Sequence, residues 1–366
     1  MDKQSLEKYA HVLTTYCCDV KPGDRVLIRS TYLAESLILA CQKQVLLMGA
    51  TCEFDISINH VAKQKYDHSS IDALKTPPII YKHAVEMFDV VISISAPFGL
   101  FDLKDVDEKR LALGQSALKS IKTTMMNRGK SGQLRWVICN YPTESLAAAA
   151  KMTLDEYTTF IVSGCFLDKE NPIQEWESLA KRQEQYVTTL NKGQKIQFIS
   201  DSIDLSFDIS DRIWINSDGR RNMPSGEVFT SPVETSGHGE IVFDHPSILF
   251  GQEVVDLKLT LKDGIVVAWE SKSSQPLLDQ LFTIDGANKI GEIAIGTNDA
   301  IQQPTLNTLF DEKIGGTIHM AVGASYPETG GKNQSSIHHD FVTSFSSNSK
   351  ILLDGQCIYQ NGKFIV

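Results

Sequence analysis

The chain has 366 residues, a formal net charge of −10, 42% hydrophobic and 22% charged residues, the balance of a water-soluble globular protein. That length calls for two domains, each with its own core. The acidic balance argues against a nucleic-acid partner, which usually calls for a basic face, and no run of about 18 apolar residues suggests a membrane span.

The first residues, MDKQSLEKYAHVL, are amphipathic and mixed in charge. They lack the basic start and apolar middle of a signal peptide, so the cytoplasm is the expected compartment. Apolar spacing predicts a helix over 3–18. KPGD (21–24) is a turn, and DRVLIRS (24–30) is a buried strand. A helix over 33–49 stops at Gly49. TCEFDIS (51–57) is the next strand. After a helical region comes FDVVISISAP (88–97), rich in β-branched residues and stopped by Pro97. KSIKTTMMNRGK is a helix and QLRWVICNYP (133–142) a fourth strand. Strands separated by helices imply βαβ units and a mostly parallel sheet. No glycine-rich phosphate loop follows any of these strands, which leaves little support for nucleotide binding.

Residues 144–190 are expected to be helical. From about 193 the texture changes to short alternating strands: KIQFIS, IDLSFDIS, RIWINS, GEIVFD, VVDLKLTL and GIVVAWES. The turn signals SDGR, KDG and SGHG divide them, as in an antiparallel sheet. A helix follows near 275–288. The expected fold class is therefore α/β: an amino-terminal βαβ domain over 1–143 and a carboxy-terminal α+β domain with antiparallel sheet over 144–366.

The seven cysteines are odd in number, irregularly spaced and without a C-x-x-C pair, so neither a disulfide framework nor a thiolate zinc site is expected. The chemistry gathers late in the chain. Glu227 (MPSGEVFTSP), Glu292 (KIGEIAIGTN) and Glu312 (LFDEKIGG) each have glycine within a few residues. Glycine permits a sharp bend that can aim a carboxylate inward, although a glutamate taken singly is mostly an exposed one. Residues 319–340, HMAVGASYPETGGKNQSSIHHD, add three histidines, a tyrosine and an aspartate. His338 and Asp340 are two apart, so on a strand both face one cavity while His339 points away. His319 lies on a second strand-like run, and Tyr326 follows at a turn where its hydroxyl could serve a developing oxyanion. Carboxylates with imidazoles are ligands for zinc, cobalt or manganese. There is no H-E-x-x-H, which excludes the helix-borne single-zinc peptidase site. Spacing alone leaves a polar surface loop and a two-metal site both open. His238 and His245 are expected to be surface or structural.

At these residues the sequence resembles the thermophilic-type metallo-aminopeptidases, the family of aminopeptidase T and aminopeptidase S. RNMPSGEVFTSP, GEIAIGTN, DEKIGGTIHMAVGASYPETGGKN and SSIHHDFV carry the resemblance in order and spacing, and LEKYAHVL with PGDRVLIRS is similar to that family's start. The resemblance implies two divalent ions (zinc, cobalt, manganese or magnesium). Their ligands would be Glu227, Glu292, Glu312, His319, His338 and Asp340, with Tyr326 as the active-site tyrosine and Glu292 or Glu312 as general base. It further implies peptide substrates with a free N-terminus and a homodimer. One departure is His339, where relatives usually carry an aromatic, often Trp; it is expected either at the surface or as an added titrating group near the site. A non-catalytic protein with a structural ion, or an amidase acting on another amine-bearing amide, are the competing readings.

Overall fold

The computed structural model describes residues 1–365. The chain divides into two compact units, Met1–Ile173 with Gly219–Met223, and Gln174–Asp218 with Pro224–Val366. The helices Glu144–Ala149 and Leu154–Gly164 group with the first unit; the division expected at 143/144 assigns them to the second.

The first unit is built on strands β1 (Arg25–Thr31), β2 (Thr51–Ser57), β3 (Val90–Ser95) and β4 (Arg135–Asn140). Their order is β2-β1-β3-β4, every pairing is parallel, and the short segment Asn222–Met223 adds a fifth parallel strand beside β4. The mixed α/β class with a parallel amino-terminal sheet is as expected. Val26, Leu27 and Ile28 of β1 and Val90, Val91 and Ile92 of β3 are buried, as continuous apolar runs of a covered parallel sheet should be. The helix expected over 3–18 is α-helical only over Lys3–His11, which we label α1. It continues through Val12–Cys17 as a wider π turn, with the Cys18 N–H donating to the Leu13 carbonyl. Thr14 lies at this change, its hydroxyl donating to the Ala10 carbonyl at 2.8 Å, a contact that bends helices.

The second unit opens with most of the helix α2 (Pro172–Leu190) and holds two main antiparallel sheets. The larger has eight strands and includes the expected Lys195–Ser200, Ile203–Asp208, His238–Phe243, Leu257–Lys262 and Ile265–Glu270. Its remaining strands, Lys350–Leu353, Gln356–Gln360 and Lys363–Phe364, had no distinct sequence signal.

The smaller sheet carries the chemistry. Its strands are β5 (Ile215–Ser217), β6 (Glu227–Thr230), β7 (Ile290–Gly296), β8 (Thr317–Gly323) and β9 (His338–Ser344), in the order β9-β8-β7-β6-β5. Side chains alternate across a strand, and the register sorts them. On one face Val228, Ile293, Ile295, Ile318, Met320, Val322 and Phe341 join a core that also takes Phe198, Leu205, Ile241 and Phe243 from the larger sheet. Each such side chain contributes about 1.5–3 kcal/mol by leaving water. Among the described residues no helix is long and apolar enough to cross a membrane.

Candidate metal centre

Directly paired residues in an antiparallel sheet share a face. Glu227 pairs with Gly296, Phe229 with Ala294, Ala294 with His319, Glu292 with Ala321, Ala321 with Asp340, and Gly323 with His338. This face therefore alternates ligand-type side chains with Ala294, Gly296, Ala321 and Gly323. The small residues leave room in front of the sheet that larger ones would fill. A register shift between Ile290 and Glu292 lies in β7 at the site's edge.

Gly226 sets the entry to β6. Its φ is +119°, and a Cβ there would come within 2.6 Å of the Asn298 side chain, so only glycine fits without strain. Its carbonyl accepts from Thr297 N–H at 2.8 Å, which tucks the chain against the end of β7 and delivers Glu227 inward. Glu312 comes from the loop side. It closes the short helix α3 (Thr308–Asp311) and points back to the sheet.

The structure brings all six expected ligand residues together. One ligand atom each from Glu227, Glu312 and His319 lie within 4.8 Å of one another, and so do atoms from Glu292, His319 and Asp340. His319 is common to both groups. Its Nε2 is 3.1 Å from Glu227 Oε2 and 3.4 Å from Glu292 Oε1. His338 Nε2 is 3.4 Å from Glu292 Oε2 and 3.8 Å from Asp340 Oδ2. On its other side His338 Nδ1 meets the Ala324 carbonyl at 2.8 Å. A carbonyl only accepts, so Nδ1 carries a proton and donates to it, which fixes the ring with Nε2 directed at the acids.

Buried Glu227 Oε2, His319 Nε2 and Asp340 Oδ1 make no well-aligned hydrogen bond among the described residues, although the first two approach as an ion pair. Buried polar atoms are normally satisfied, and clusters left bare mark a site awaiting a ligand or ion. The donor set, carboxylate oxygens with imidazole nitrogen, fits a divalent cation.

Protonation follows from crowding. Burial alone would raise Glu292, but the imidazoles of His319 and His338 outweigh it and hold its carboxyl at about 2. Glu227 is pushed up by burial and pulled further down by the Lys313 ammonium and His319, ending below the usual range. Glu312, buried and facing Glu227 and Asp340, is raised to about 8 despite Lys313. Asp340 is raised, chiefly by burial, with His338 opposing. Burial lowers His319 and His338, yet the surrounding acids leave both raised, His338 to about 10. Four carboxylates cannot all stay charged in one dry cluster without cations.

Tyr326 stands at the rim, its ring edge-on to His338 at 4.9 Å and to Phe229 at 5.5 Å. Burial, then the nearby acids, push its phenol well above its ordinary value, so it stays a donor. Its turn is tied down from below. Arg212 donates to the Gly330 carbonyl at 2.5 Å and to Glu234 at 2.8 Å, and Glu234 accepts from the Lys332 N–H at 2.6 Å. Thr329 donates to Ser231 at 2.7 Å.

His339 faces away from the cluster, as the period-2 spacing predicts. It is not a surface residue: its ring packs on Phe341 at 4.8 Å and its Nε2 is 3.4 Å from Ser247 Oγ. Burial and neighbouring His338 lower it to about 4, so it is neutral near pH 7. His238 is exposed, and His245 Nε2 contacts Ser344 Oγ at 3.1 Å.

Sequence reasoning missed Lys313. Its side chain is 1% exposed, and its ammonium meets both Glu227 and Glu312, the latter at 2.6 Å. Burial disfavours the charge, but the two carboxylates prevail and raise its pKa. A lysine beside glycines reads as exposed by default; its place immediately after Glu312 was the one available signal. Arg212 and Glu234 carry no sequence signal of pairing.

A model of the family described as Thermophilic metalloprotease (M29) matches residues 2–364. Aminopeptidase 2 of Geobacillus stearothermophilus is 25% identical, over 93% of this chain and 92% of that relative. Aminopeptidase PepS of Streptococcus thermophilus is 23% identical over 100% and 98%. A solved structure described as wild-type AmpT from Thermus thermophilus superposes with a TM-score of 0.87 at 20% identity, covering 100% of both chains, which shows a shared fold.

Proposed function

Because this chain belongs to the thermophilic metalloprotease (M29) family and is thus a peptidase hydrolase, we propose that it is an aminopeptidase working with two divalent ions. It would remove the first residue from peptides with a free N-terminus, as the names of its relatives suggest. The observation that carries this reading is the pair of three-residue groups sharing His319, with bare buried Glu227, His319 and Asp340 atoms between them.

Glu227, Glu312 and His319 would hold one ion and Glu292, His338 and Asp340 the other, since the single lone pair of His319 Nε2 serves one ion. Bound there, divalent ions supply a water acidic enough to attack at neutral pH and polarise the scissile carbonyl. The protein's own groups do the rest. Glu292 or Glu312 would take the proton from the attacking water and pass it to the leaving amine. The Tyr326 hydroxyl would donate to the oxygen that gains charge, an interaction worth about 3 kcal/mol in comparable sites. The Ala324 carbonyl holds His338 in its ligating tautomer throughout. The ion identities, the homodimer and a cytoplasmic location belong to the same proposal.

The test is hydrolysis of aminoacyl chromogenic substrates by protein stripped with chelator and restored separately with zinc, cobalt, manganese or magnesium. Matched N-acetylated substrates run alongside. Turnover should require both metal and a free amine, and Glu292→Gln should abolish it while the fold remains. Hydrolysis that survives chelation, or that proceeds equally on blocked substrates, would sink the reading.

A further inference from the structure

Two halves of the centre share His319 but differ in their surroundings. Among the described residues, the ion-pair partners of the Glu292–Asp340 half are imidazoles, His319 and His338. The Glu227–Glu312 half is already bridged by a cation, for the Lys313 ammonium reaches one oxygen of each carboxylate. These are the same two carboxylates that group with His319 as one of the two candidate ligand sets.

We propose that Lys313 is the resident cation of the Glu227–Glu312–His319 half and that it makes this half the weaker of two metal sites. Without metal, the ammonium neutralises Glu227 and contacts Glu312 in a dry pocket. It thereby keeps them near the positions a divalent ion needs. When an ion enters, it must share both carboxylates with a like charge that cannot leave, because the Lys313 side chain is 1% exposed. Like charges at such range repel strongly where water is excluded. Lys313 thus acts on metal uptake through Glu227 and Glu312; it is a positioning residue, not a catalytic one. The same arrangement predicts ordered loading, with the Glu292–His338–Asp340 half filling first.

This inference rests on the metal-centre reading, and one titration separates the two. Metal-free protein is titrated with zinc alone against a competing chelator, for wild type, Lys313→Met and Lys313→Arg. Wild type should take up two ions in resolved steps. Lys313→Met should tighten the weaker step by about tenfold or more and leave the tighter step within about threefold, since charge repulsion falls with distance. Lys313→Arg keeps the charge and should keep the weak step. If Lys313→Met folds only with zinc present, the chelator needed to remove its more weakly held ion is measured instead, and it must exceed the wild-type amount. A weaker step that is unchanged or loosened in Lys313→Met overturns the role of Lys313 while the metal centre stands. A wild type that takes up no zinc overturns both.

Discussion

Replacing Arg212 by Met tests whether the turn beneath Tyr326 is held by one buried charge pair. The Arg212 side chain is 6% exposed and that of Glu234 16%. The substitution removes a charge-assisted hydrogen bond to the Gly330 carbonyl and the partner of Glu234. Breaking a buried pair costs about 3–5 kcal/mol. Glu234 keeps the Lys332 N–H and some water, which places the loss at the low end, about 3 kcal/mol. With a urea slope of about 3 kcal/mol per molar, the unfolding midpoint should fall by about 1 M. Tyr326 sits four residues from Gly330, so its hydroxyl should drift, and a displacement of about 1 Å is enough to lower kcat about a hundredfold. Zinc affinity should hold, because Arg212 touches none of the ligands. Arg212→Lys keeps the charge without the two-pronged geometry and should recover only part of the loss. A midpoint within about 0.3 M of wild type, or kcat and zinc affinity falling together, would refute the reasoning.

Ala321 lies opposite both Glu292 and Asp340; Ala321→Val should weaken zinc uptake at least about tenfold for a stability loss of about 1–3 kcal/mol, read by chelator competition and urea unfolding. Met320→Ala, one residue away on the core face, should do the reverse: about 2–5 kcal/mol of stability lost, with zinc uptake intact. Zinc at about a hundred times its dissociation constant should raise the unfolding free energy by about 2.7 kcal/mol, and chelator should cancel that gain in a thermal scan. His245 is lowered by burial, with Asp244 opposing. Its folded form resists protonation, so stability is full above the unfolded value of about 6.5 and is lost as pH falls through it toward the depressed folded value. His245→Gln should flatten that acid-side loss; parallel pH curves for the two proteins would contradict it.

The parts of the fold legible in the sequence were those with one strong local pattern. The β-branched runs around Ile28 and Ile92 read as buried strands because a covered parallel sheet wants apolar residues on both faces. The strand Ile290–Gly296 escaped this logic. It is buried along its whole length, yet carries Glu292 in its middle, because one of its faces is a core and the other a cluster of acids. Glu227–Thr230 was missed because four residues offer too short a run for periodicity. The six ligand residues were legible through motif and spacing, and the register explains the company of five of them, which come from four strands; Glu312 joins from the end of a short helix. Lys313 and the Arg212–Glu234 pair stayed hidden because a buried charge is visible only once its partners are in space.

The sorting of side chains across β7 and β8 also bears on quality control of the folded protein. The residues that build the core and those that gather the acids alternate along the same strands, so a slip of one residue in pairing exchanges the two sets. It would drive acids into the apolar interior and turn isoleucines toward the cleft. A one-residue slip therefore cannot spoil the chemistry and spare the interior. Catalytic turnover per molecule therefore doubles as a readout of correct strand alignment. Molecules misaligned by one residue should be inert.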